Sequence, residues 1–476
     1  MCEIILRFQF GVSFNNGNEA RLKDYCHEKL GVLDSLLCSS PGQQPIAPSP
    51  AFTSVRPAPT QPTTRRPQTT KPIQTVIKPT GESLFSAATK QDCEQVKRLI
   101  QSGAPTDYQS RDNENFTFLH RLVLNDNWQC IRDSLALIPR TQRKKVIDMV
   151  TDFQRTPLYL AAFNGYINSA EILTSSGADI DKPEDGGRTP LWTASFSGHL
   201  DVASLLVTRG ADLNRKASQV ALGFAPLHAA VQEGYLGIVT ELVENGADVN
   251  LESGFHKETP LSRAASNGRP EIADYLLEKG ANTEIVDRNG KTPLYFAAFY
   301  GHPDIATSLL NRGAQVNRAS VDLRYSPLHV AALADHLDVI KVLLGWRALA
   351  NMVDRSGQTP IFKAIKNGNF DVVEQLIGAR ANLIIRDNEG YTPFSAAVAA
   401  NEEAIAAYLE SSGADATGKL KDGRSTLLLA ATNRDMSMVK HLLTGSRYNP
   451  KGDRDALLAA YTTGQDEMAR LIGQYV

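Results

Sequence analysis

Cysteine is the first residue type in this 476-residue sequence whose chemistry could define a function, because cysteines bind zinc and form disulfides. All of the cysteines lie in the first 130 residues, and their total is odd. They are Cys2, Cys26, Cys38, Cys93 and Cys130. Because no two of them form a C-x-x-C pair, the pattern predicts neither a zinc site nor a disulfide framework and favours a reducing compartment.

Other reactive side chains do not fall into a catalytic spacing. The sequence has no H-E-x-x-H, no G-x-x-x-x-G-K-[ST], no G-x-S-x-G and no protein-kinase motif set. We therefore predict no catalytic residue, no cofactor and no metal site, and we do not expect an enzyme. The formal net charge of −2 gives no overall attraction to nucleic acid.

The motif that does recur is Thr-Pro-Leu-x-x-Ala-Ala. Its proline position is occupied by Pro157, Pro190, Pro226, Pro260, Pro293, Pro327, Pro360 and Pro393, in steps of 33, 36, 34, 33, 34, 33 and 33 residues. Weaker copies extend the series, with Ser83 and Phe118 at the proline position before it and Thr426 and Asp455 after it. The sequence thus predicts about twelve similar units over residues 81–476.

The segment 287–317 shows how one unit should fold. Thr292 is a good N-cap and Pro293 suits the first helical position. Gly301 should end this first helix, and Gly313 should end a second, amphipathic helix. Because no unit can bury both of its helices alone, stability must come from stacking on the neighbouring units.

A period near 33 residues with this motif resembles the ankyrin repeat, over about 390 of the 476 residues. The resemblance implies an all-α solenoid that serves as a recognition scaffold without chemistry of its own. We expect a monomeric array that binds a partner protein or an extended peptide in a groove lined by the first helices and the projecting turns, or fingers. It also implies that His228 and His329 brace backbone in neighbouring units and are not metal ligands.

By the same resemblance, the groove residues are the sixth and seventh after each proline, while the second lies at the helix start. Units three, four and seven carry aromatic side chains at these positions, spaced i, i+4 on one helix face. We therefore predict partner contacts at Tyr159, Phe163, Trp192, Phe196, Tyr295, Phe299 and Tyr300. The residue two after the proline has an alternative role in packing between units, which applies to Tyr159, Trp192 and Tyr295.

Two further patterns concern the fingers and the ends of the second helices. The fingers mix cations such as Arg288 and Arg355 with acids, which is typical of a solvated surface and leaves an acidic partner as the alternative. Arg347 and Arg380 replace the glycine that should end a second helix. A left-handed arginine costs on the order of 1 kcal/mol, so we expect these helices to end early. Trp346 with Arg347 is a second-choice contact site.

The chain before the units has two parts. Residues 1–40 contain an alternating apolar strand pattern at 4–14, followed by an amphipathic helix pattern, too little for a core of its own. We expect this segment to cap the array or to be partly disordered; its strand pairing with a partner is the alternative. Residues 41–80 include ten prolines, which predicts a disordered Pro/Thr-rich linker.

Within that linker, Arg56, Pro59 and Pro62 have the R-x-x-P-x-x-P spacing of a ligand for an SH3-type domain, with a plain spacer as the alternative. An adaptor is therefore the alternative function: the array would hold a client while the N-terminal segment or the linker recruits an enzyme or an SH3-type domain. Deleting residues 1–80 would distinguish the two functions.

Localisation follows from what the sequence does not contain. It has no run of 18 apolar residues and no secretory signal pattern, so we expect no membrane span and a cytoplasmic protein. The 39-residue step between Phe118 and Pro157 contains the basic run 140–145. This run is a candidate nuclear-import signal, with a solvated helix face as the alternative.

Overall fold

A computed structural model of the chain describes residues 79–111, 114–218, 222–445, 448–451 and 453–476. Over these residues the chain is all-α, which confirms the predicted fold class. The predicted strand and helix of residues 1–40, nearly all of the linker 41–80, and the SH3-type spacing of Arg56, Pro59 and Pro62 lie outside the described residues.

The twelve predicted units are all present as pairs of helices. The first helices are α1 Gly81–Thr89, α3 Phe118–Leu124, α6 Pro157–Asn164, α8 Pro190–Ser197, α10 Pro226–Glu233, α12 Pro260–Asn267, α14 Pro293–Tyr300, α16 Pro327–Leu333, α18 Pro360–Lys366, α20 Pro393–Ala399, α22 Thr426–Thr432 and α24 Arg454–Thr462. The second helices are α2 Cys93–Gln101, α4 Trp128–Leu137, α7 Ile167–Ser175, α9 Leu200–Thr208, α11 Leu236–Glu244, α13 Pro270–Glu278, α15 Pro303–Asn311, α17 Leu337–Gly345, α19 Phe370–Gly378, α21 Glu403–Ser411, α23 Met436–Lys440 with a π-helical turn His441–Gly445, and α25 Asp466–Gly473.

One helix lies outside this scheme and accounts for the long step between units two and three. Helix α5, Arg140–Ile147, follows α4 directly and contains the basic run 140–145. Within it, the Lys145 ammonium lies 2.8 Å from a carboxylate oxygen of Asp107, and a guanidinium nitrogen of Arg143 donates to the carbonyl of Ile138 at 3.1 Å. The nuclear-import interpretation of this run stays a prediction.

The helix ends of unit seven follow the sequence prediction. The Thr292 hydroxyl accepts the N–H of Tyr295 at 3.2 Å, which caps α14. Gly301 ends this helix with φ 77°, and Gly313 follows α15 with φ 87°. Two terminal units differ slightly, since α1 begins two residues before Ser83 and α24 begins one residue before Asp455.

Stacking between units builds the core. First helices pack against first helices in chain order from α1 to α24, and second helices pack likewise from α2 to α21. Ala297 and Ala298 of α14 are fully buried, and their small size allows neighbouring first helices to approach closely. Most buried apolar side chains join into one cluster that runs from the first unit to the last, and Trp192, Ala217 and Ala229 form a small second cluster.

Buried histidines connect units along the array. The ring Nε2 of His228 lies 3.0 Å from the carbonyl of Glu258, and that of His329 lies 3.0 Å from the carbonyl of Gln358. His120 makes the same contact with the carbonyl of Arg155. Because a carbonyl only accepts, each Nε2 donates, and burial lowers the pKa of all three rings to about 4. These rings brace the next unit, as the resemblance implied.

The fingers, which are the turns between a second helix and the next first helix, are joined by backbone hydrogen bonds. The N–H of Arg288 donates to the carbonyl of His256 at 3.0 Å, and the N–H of Val321 donates to that of Asn289 at 2.8 Å. The N–H of Arg355 donates to the carbonyl of Leu323 at 3.1 Å. Neighbouring finger tips are therefore held side by side in a fixed order.

The expectation that α17 and α19 end early is wrong. Both helices keep nine residues, and Arg347 and Arg380 adopt the left-handed conformation with φ 61° and 62°. The reason lies in the turn that follows: the N–H of Ala348 donates to the carbonyl of Leu343 at 2.9 Å, and the buried Ala348 packs in the core. The hydrogen bond and the burial of Ala348 in this turn outweigh the conformational cost of a left-handed arginine.

The expectation that no disulfide forms is also wrong for one pair. Cys93 and Cys130 form a disulfide, with their Cα atoms 5.5 Å apart. They lie in the first turns of α2 and α4, which stack on each other, so one repeat of separation brings them together. Cysteine usage consequently no longer argues for a reducing compartment.

Among the described residues, no helix is both long enough and apolar enough to cross a bilayer.

Candidate protein-binding groove

The first helices α6 to α14 carry all seven predicted contact residues. These helices lie next to one another in chain order, so their solvent-facing side chains form a continuous strip, which we call the first-helix face. The predicted residues lie on these helices in two groups, one on α6 and α8 and one on α14. Between the groups, α10 and α12 carry Gln232 and Ser266 at the sixth position after the proline.

The three residues at the second position after the proline are buried. Tyr159 is 4% exposed, Trp192 is 5% exposed and Tyr295 is 6% exposed. Each lies in the first turn of its helix, with its N–H bound to the capping threonine. Burial raises the pKa of Tyr159, and the charge of Arg188 in the next unit opposes this change. Their rings therefore pack mainly between units.

The four residues at the sixth and seventh positions reach solvent. Phe163 and Phe299 are each 39% exposed, and Phe196 and Tyr300 are half-buried. Pairs spaced i, i+4 on one helix thus differ in environment: the first ring is covered by the next unit, and the second is open to a partner.

Histidines of the following unit fix the backbone beneath the two exposed phenylalanines. His199 Nε2 donates to the carbonyl of Phe163 at 3.0 Å, and His336 Nε2 donates to that of Phe299 at 3.0 Å. Because the main chain is held from the neighbouring unit, the backbone that carries each ring is fixed, and only the side-chain rotamer has to be ordered on binding. Such preorganised aromatic side chains lose little conformational entropy on binding.

Unit four places its aromatic pair above a buried ion pair. The rings of Trp192 and Phe196 stack with centroids 5.2 Å apart. The Arg188 guanidinium lies 5.5 Å from the Trp192 ring centroid, and its Nε lies 2.9 Å from a carboxylate oxygen of Glu184. Since Glu184 is buried and neutralises Arg188, this region offers a partner an aromatic surface with little net charge.

Unit seven forms the second aromatic group. The Phe299 and Tyr300 rings meet edge to face with centroids 5.0 Å apart. Burial raises the pKa of Tyr300, and the charge of Arg263 on the preceding unit opposes this change. Arg263 lies 2.7 Å from Glu258, so a polar pair borders the aromatic group on its unit-six side.

The sequence analysis missed a row of cation–aromatic pairs at the starts of the first helices from α10 to α18. Arg263 lies 4.6 Å from the Phe224 ring centroid, and Lys363 lies 4.8 Å from that of Tyr325. Lys291 lies 5.3 Å from the Tyr295 ring centroid. These residues lie two before or two or three after the proline position, so a reading of all aligned positions, not only the sixth and seventh, would have found them.

The second-choice contact site lies directly after second helix α17, whereas the first-helix face is formed by the first helices. Trp346 is 44% exposed and Arg347 is exposed. The described part of the chain has no group of three or more histidine, cysteine or acidic side chains able to hold a metal ion.

The structure thus defines a class of protein, an all-α array of stacked helical pairs with an aromatic strip along its first helices. A family model described as ankyrin repeats in three copies matches residues 84–184, 135–217, 182–253, 227–320 and 328–419. The chain therefore belongs to the ankyrin repeat family, whose members are generally protein–protein interaction modules and typically non-catalytic.

Among solved structures, the chain is similar to the human ASB11 ankyrin repeat domain. The two are 26% identical, the match covers 47% of this chain and 98% of that chain, and the TM-score is 0.41. A comparison with curated proteins gives no match.

Proposed function

We propose that this protein is an interaction scaffold that holds an extended segment of a partner protein along the first-helix face of units three to seven. The observation that carries the proposal is a difference in exposure between aromatic residues of the same helix. The residue at the second position is buried, while Phe163 and Phe299 remain 39% exposed on backbone that the next unit holds. Exposed, preorganised aromatic side chains are the residues that most often dominate binding energy.

The spacing of the two aromatic groups fits an extended segment. Unit four and unit seven are three units apart, or roughly 30 Å at about 10 Å per packed helix layer. An extended peptide covers this distance with about nine residues at about 3.3 Å each. We therefore propose that Phe163 and Phe196 hold one apolar anchor of the partner and that Phe299 and Tyr300 hold another.

Affinity purification with paired variants tests this function. Phe163→Ala combined with Phe299→Ala removes the two exposed rings without opening the core, so we expect an unchanged fold by circular dichroism and the loss of the partners recovered with the wild-type chain. The matched control is Phe370→Ala, which removes a ring of 37% exposure from second helix α19. Recovery of the same partners with the double variant would exclude the first-helix face as the binding site.

The adaptor is the second candidate, and the observation that favours it is the R-x-x-P-x-x-P spacing of Arg56, Pro59 and Pro62. In this function the array holds the client and the linker recruits an SH3-type domain. Removing residues 1–80 should then leave client binding intact and abolish recruitment, whereas a simple scaffold keeps its function.

A further inference from the structure

The tips of four consecutive fingers, between units five and nine, form a surface distinct from the first-helix face. We define the finger-tip patch by Phe255, Lys257, Arg288, Val321, Arg324 and Arg355. Backbone hydrogen bonds from Arg288 to His256, from Val321 to Asn289 and from Arg355 to Leu323 connect the four tips in order. The patch is therefore one fixed surface and not a set of independent loops.

Two large apolar side chains of the patch are exposed and available for contact with a partner. Phe255 is 52% exposed and Val321 is 67% exposed. The Arg288 guanidinium lies 4.0 Å from the centroid of the Phe255 ring, so cation and ring form one composite surface. Exposed apolar side chains grouped within a polar surround are typical of protein interaction sites.

The three exposed arginines of these tips have no acidic partner among the described residues, whereas Lys257 has the partly exposed Glu252 beside it. In segments 252–258, 285–291, 318–325 and 352–358, the exposed lysine and arginine residues are Lys257, Arg288, Arg324 and Arg355, whereas every acidic residue there is buried or half-buried.

The acidic residues of the same segments are held by internal partners. Asp287 accepts the N–H groups of Asn289 and Lys291, both at 2.8 Å. Asp354 lies 2.6 Å from Lys363, and Glu258 lies 2.7 Å from Arg263. Asp322 lies 3.8 Å from Lys291, and Glu252 lies 3.9 Å from Lys257 of the patch itself. The charge of Lys257 is therefore partly neutralised, and the arginines of the patch, which have no acid within ion-pair distance among the described residues, leave the outer surface positive.

Two of the cations occupy strained positions. Lys257 has φ 55° and Arg324 has φ 57°, and both lie third before the proline position. Six other fingers place a glycine there with positive φ: Gly187, Gly223, Gly290, Gly357, Gly390 and Gly423. Glycine would relieve the strain, so a long cationic side chain at both tips is retained against a cost in stability, as is common where the side chain serves in binding.

From these observations we infer that the finger-tip patch binds an acidic protein segment that also carries apolar side chains. Carboxylates of the segment pair with Arg288, Arg324 and their neighbours, and its apolar side chains cover Phe255 and Val321. The apolar component favours a protein over a nucleic acid, whose backbone offers only charge to such a surface.

Fluorescence anisotropy with the full-length chain tests the inference directly. The probe is a fluorescein-labelled twelve-residue peptide, (Glu-Leu-Asp-Leu)₃, and the comparison ligands are (Glu-Ser-Asp-Ser)₃ and a twelve-nucleotide oligothymidine. We expect the apolar-containing peptide to bind tightest, and Arg288→Glu with Arg324→Glu to weaken it about tenfold. Arg209→Glu with Lys279→Glu, which makes the same charge change at the ends of second helices, should alter the affinity less than about twofold.

The strained positions provide a second readout. Lys257→Gly with Arg324→Gly should raise the urea midpoint of unfolding and weaken the peptide about threefold, because it removes strain together with two charges. The inference is overturned if either this variant or the charge-reversed variant binds the leucine-containing peptide as tightly as the wild-type chain does. It is also overturned if the wild-type chain binds the oligonucleotide more tightly than that peptide, or binds the serine peptide equally well. Phe163→Ala with Phe299→Ala should leave the affinity for the labelled peptide unchanged. A negative result for the finger-tip patch can therefore be told apart from a negative result for the first-helix face.

Discussion

At the scale of single residues, neighbouring units decide what a side chain does. Tyr295 and Phe299 lie one turn apart on the same helix, yet Tyr295 is buried and Phe299 is exposed. The sequence places both on one face of α14, since the i, i+4 spacing is a local property. It offered packing as an alternative role for Tyr295 but could not decide between the two roles, because the cover over Tyr295 comes from the stacking of units.

The buried histidines give these unit contacts a dependence on pH. His228 and His329 have pKa values lowered to about 4 from an ordinary 6.5, chiefly by burial. The unfolded chain therefore takes up protons first as the pH falls, and the stability present above pH 6.5 is lost toward pH 4.

We predict that wild-type stability falls between pH 7.5 and pH 5, by about 2 kcal/mol for each such histidine. In His228→Gln with His329→Gln, the glutamine amide can still donate to the carbonyl but does not titrate, so this loss should shrink. Urea unfolding at the two pH values measures the difference. An equal pH-induced loss in wild type and variant would show that these rings do not carry the effect.

At the scale of elements, the helical pairs were predictable and their exceptions were not. The capping threonines, the prolines at the first helical position and the glycines after most helices place α6 to α20 from local rules. Helix α5 breaks the period, so the repeat pattern did not place it, and only its basic run indicated a helix face as an alternative. The predicted ends of α17 and α19 were wrong because core packing overrides the local cost of a left-handed arginine.

The disulfide between α2 and α4 is an element-scale feature that the sequence hides. Cys93 and Cys130 are separated by 37 residues, and only the stacking of units one and two brings them together. Closing a chain segment of this length stabilises the folded state by about 2–4 kcal/mol in the loop-entropy model.

We predict that Cys130→Ser, or reduction of the wild-type chain, destabilises units one and two selectively. Unit one has a single neighbour in the array and depends most on the crosslink. Hydrogen exchange should show faster exchange in α1 to α4 and unchanged exchange in α14 to α20. The matched control is reductant added to Cys130→Ser, which should have no further effect. Equal protection of α1 to α4 with and without reductant would contradict the prediction.

At the scale of the whole array, function depends on how many units must act together. Each described unit packs on its immediate neighbours, so stability is approximately a sum of unit and interface terms. A partner that spans units three to seven would couple these terms, since it contacts several units at once. Fold and unit number were readable from the period, whereas the exposed strip of rings required the packed structure.

Site-specific photocrosslinking tests the central claim, that a protein partner lies along the first-helix face. A photoreactive phenylalanine is placed in turn at Phe163, Phe196, Phe299 and, as the control, at Phe370 on the second-helix side. We predict that the first three positions crosslink a common partner and that Phe370 does not. Two results would contradict this account of the molecule. One is a partner that crosslinks only from Phe370; the other is a partner that still co-purifies but crosslinks from none of the three positions on the first-helix face.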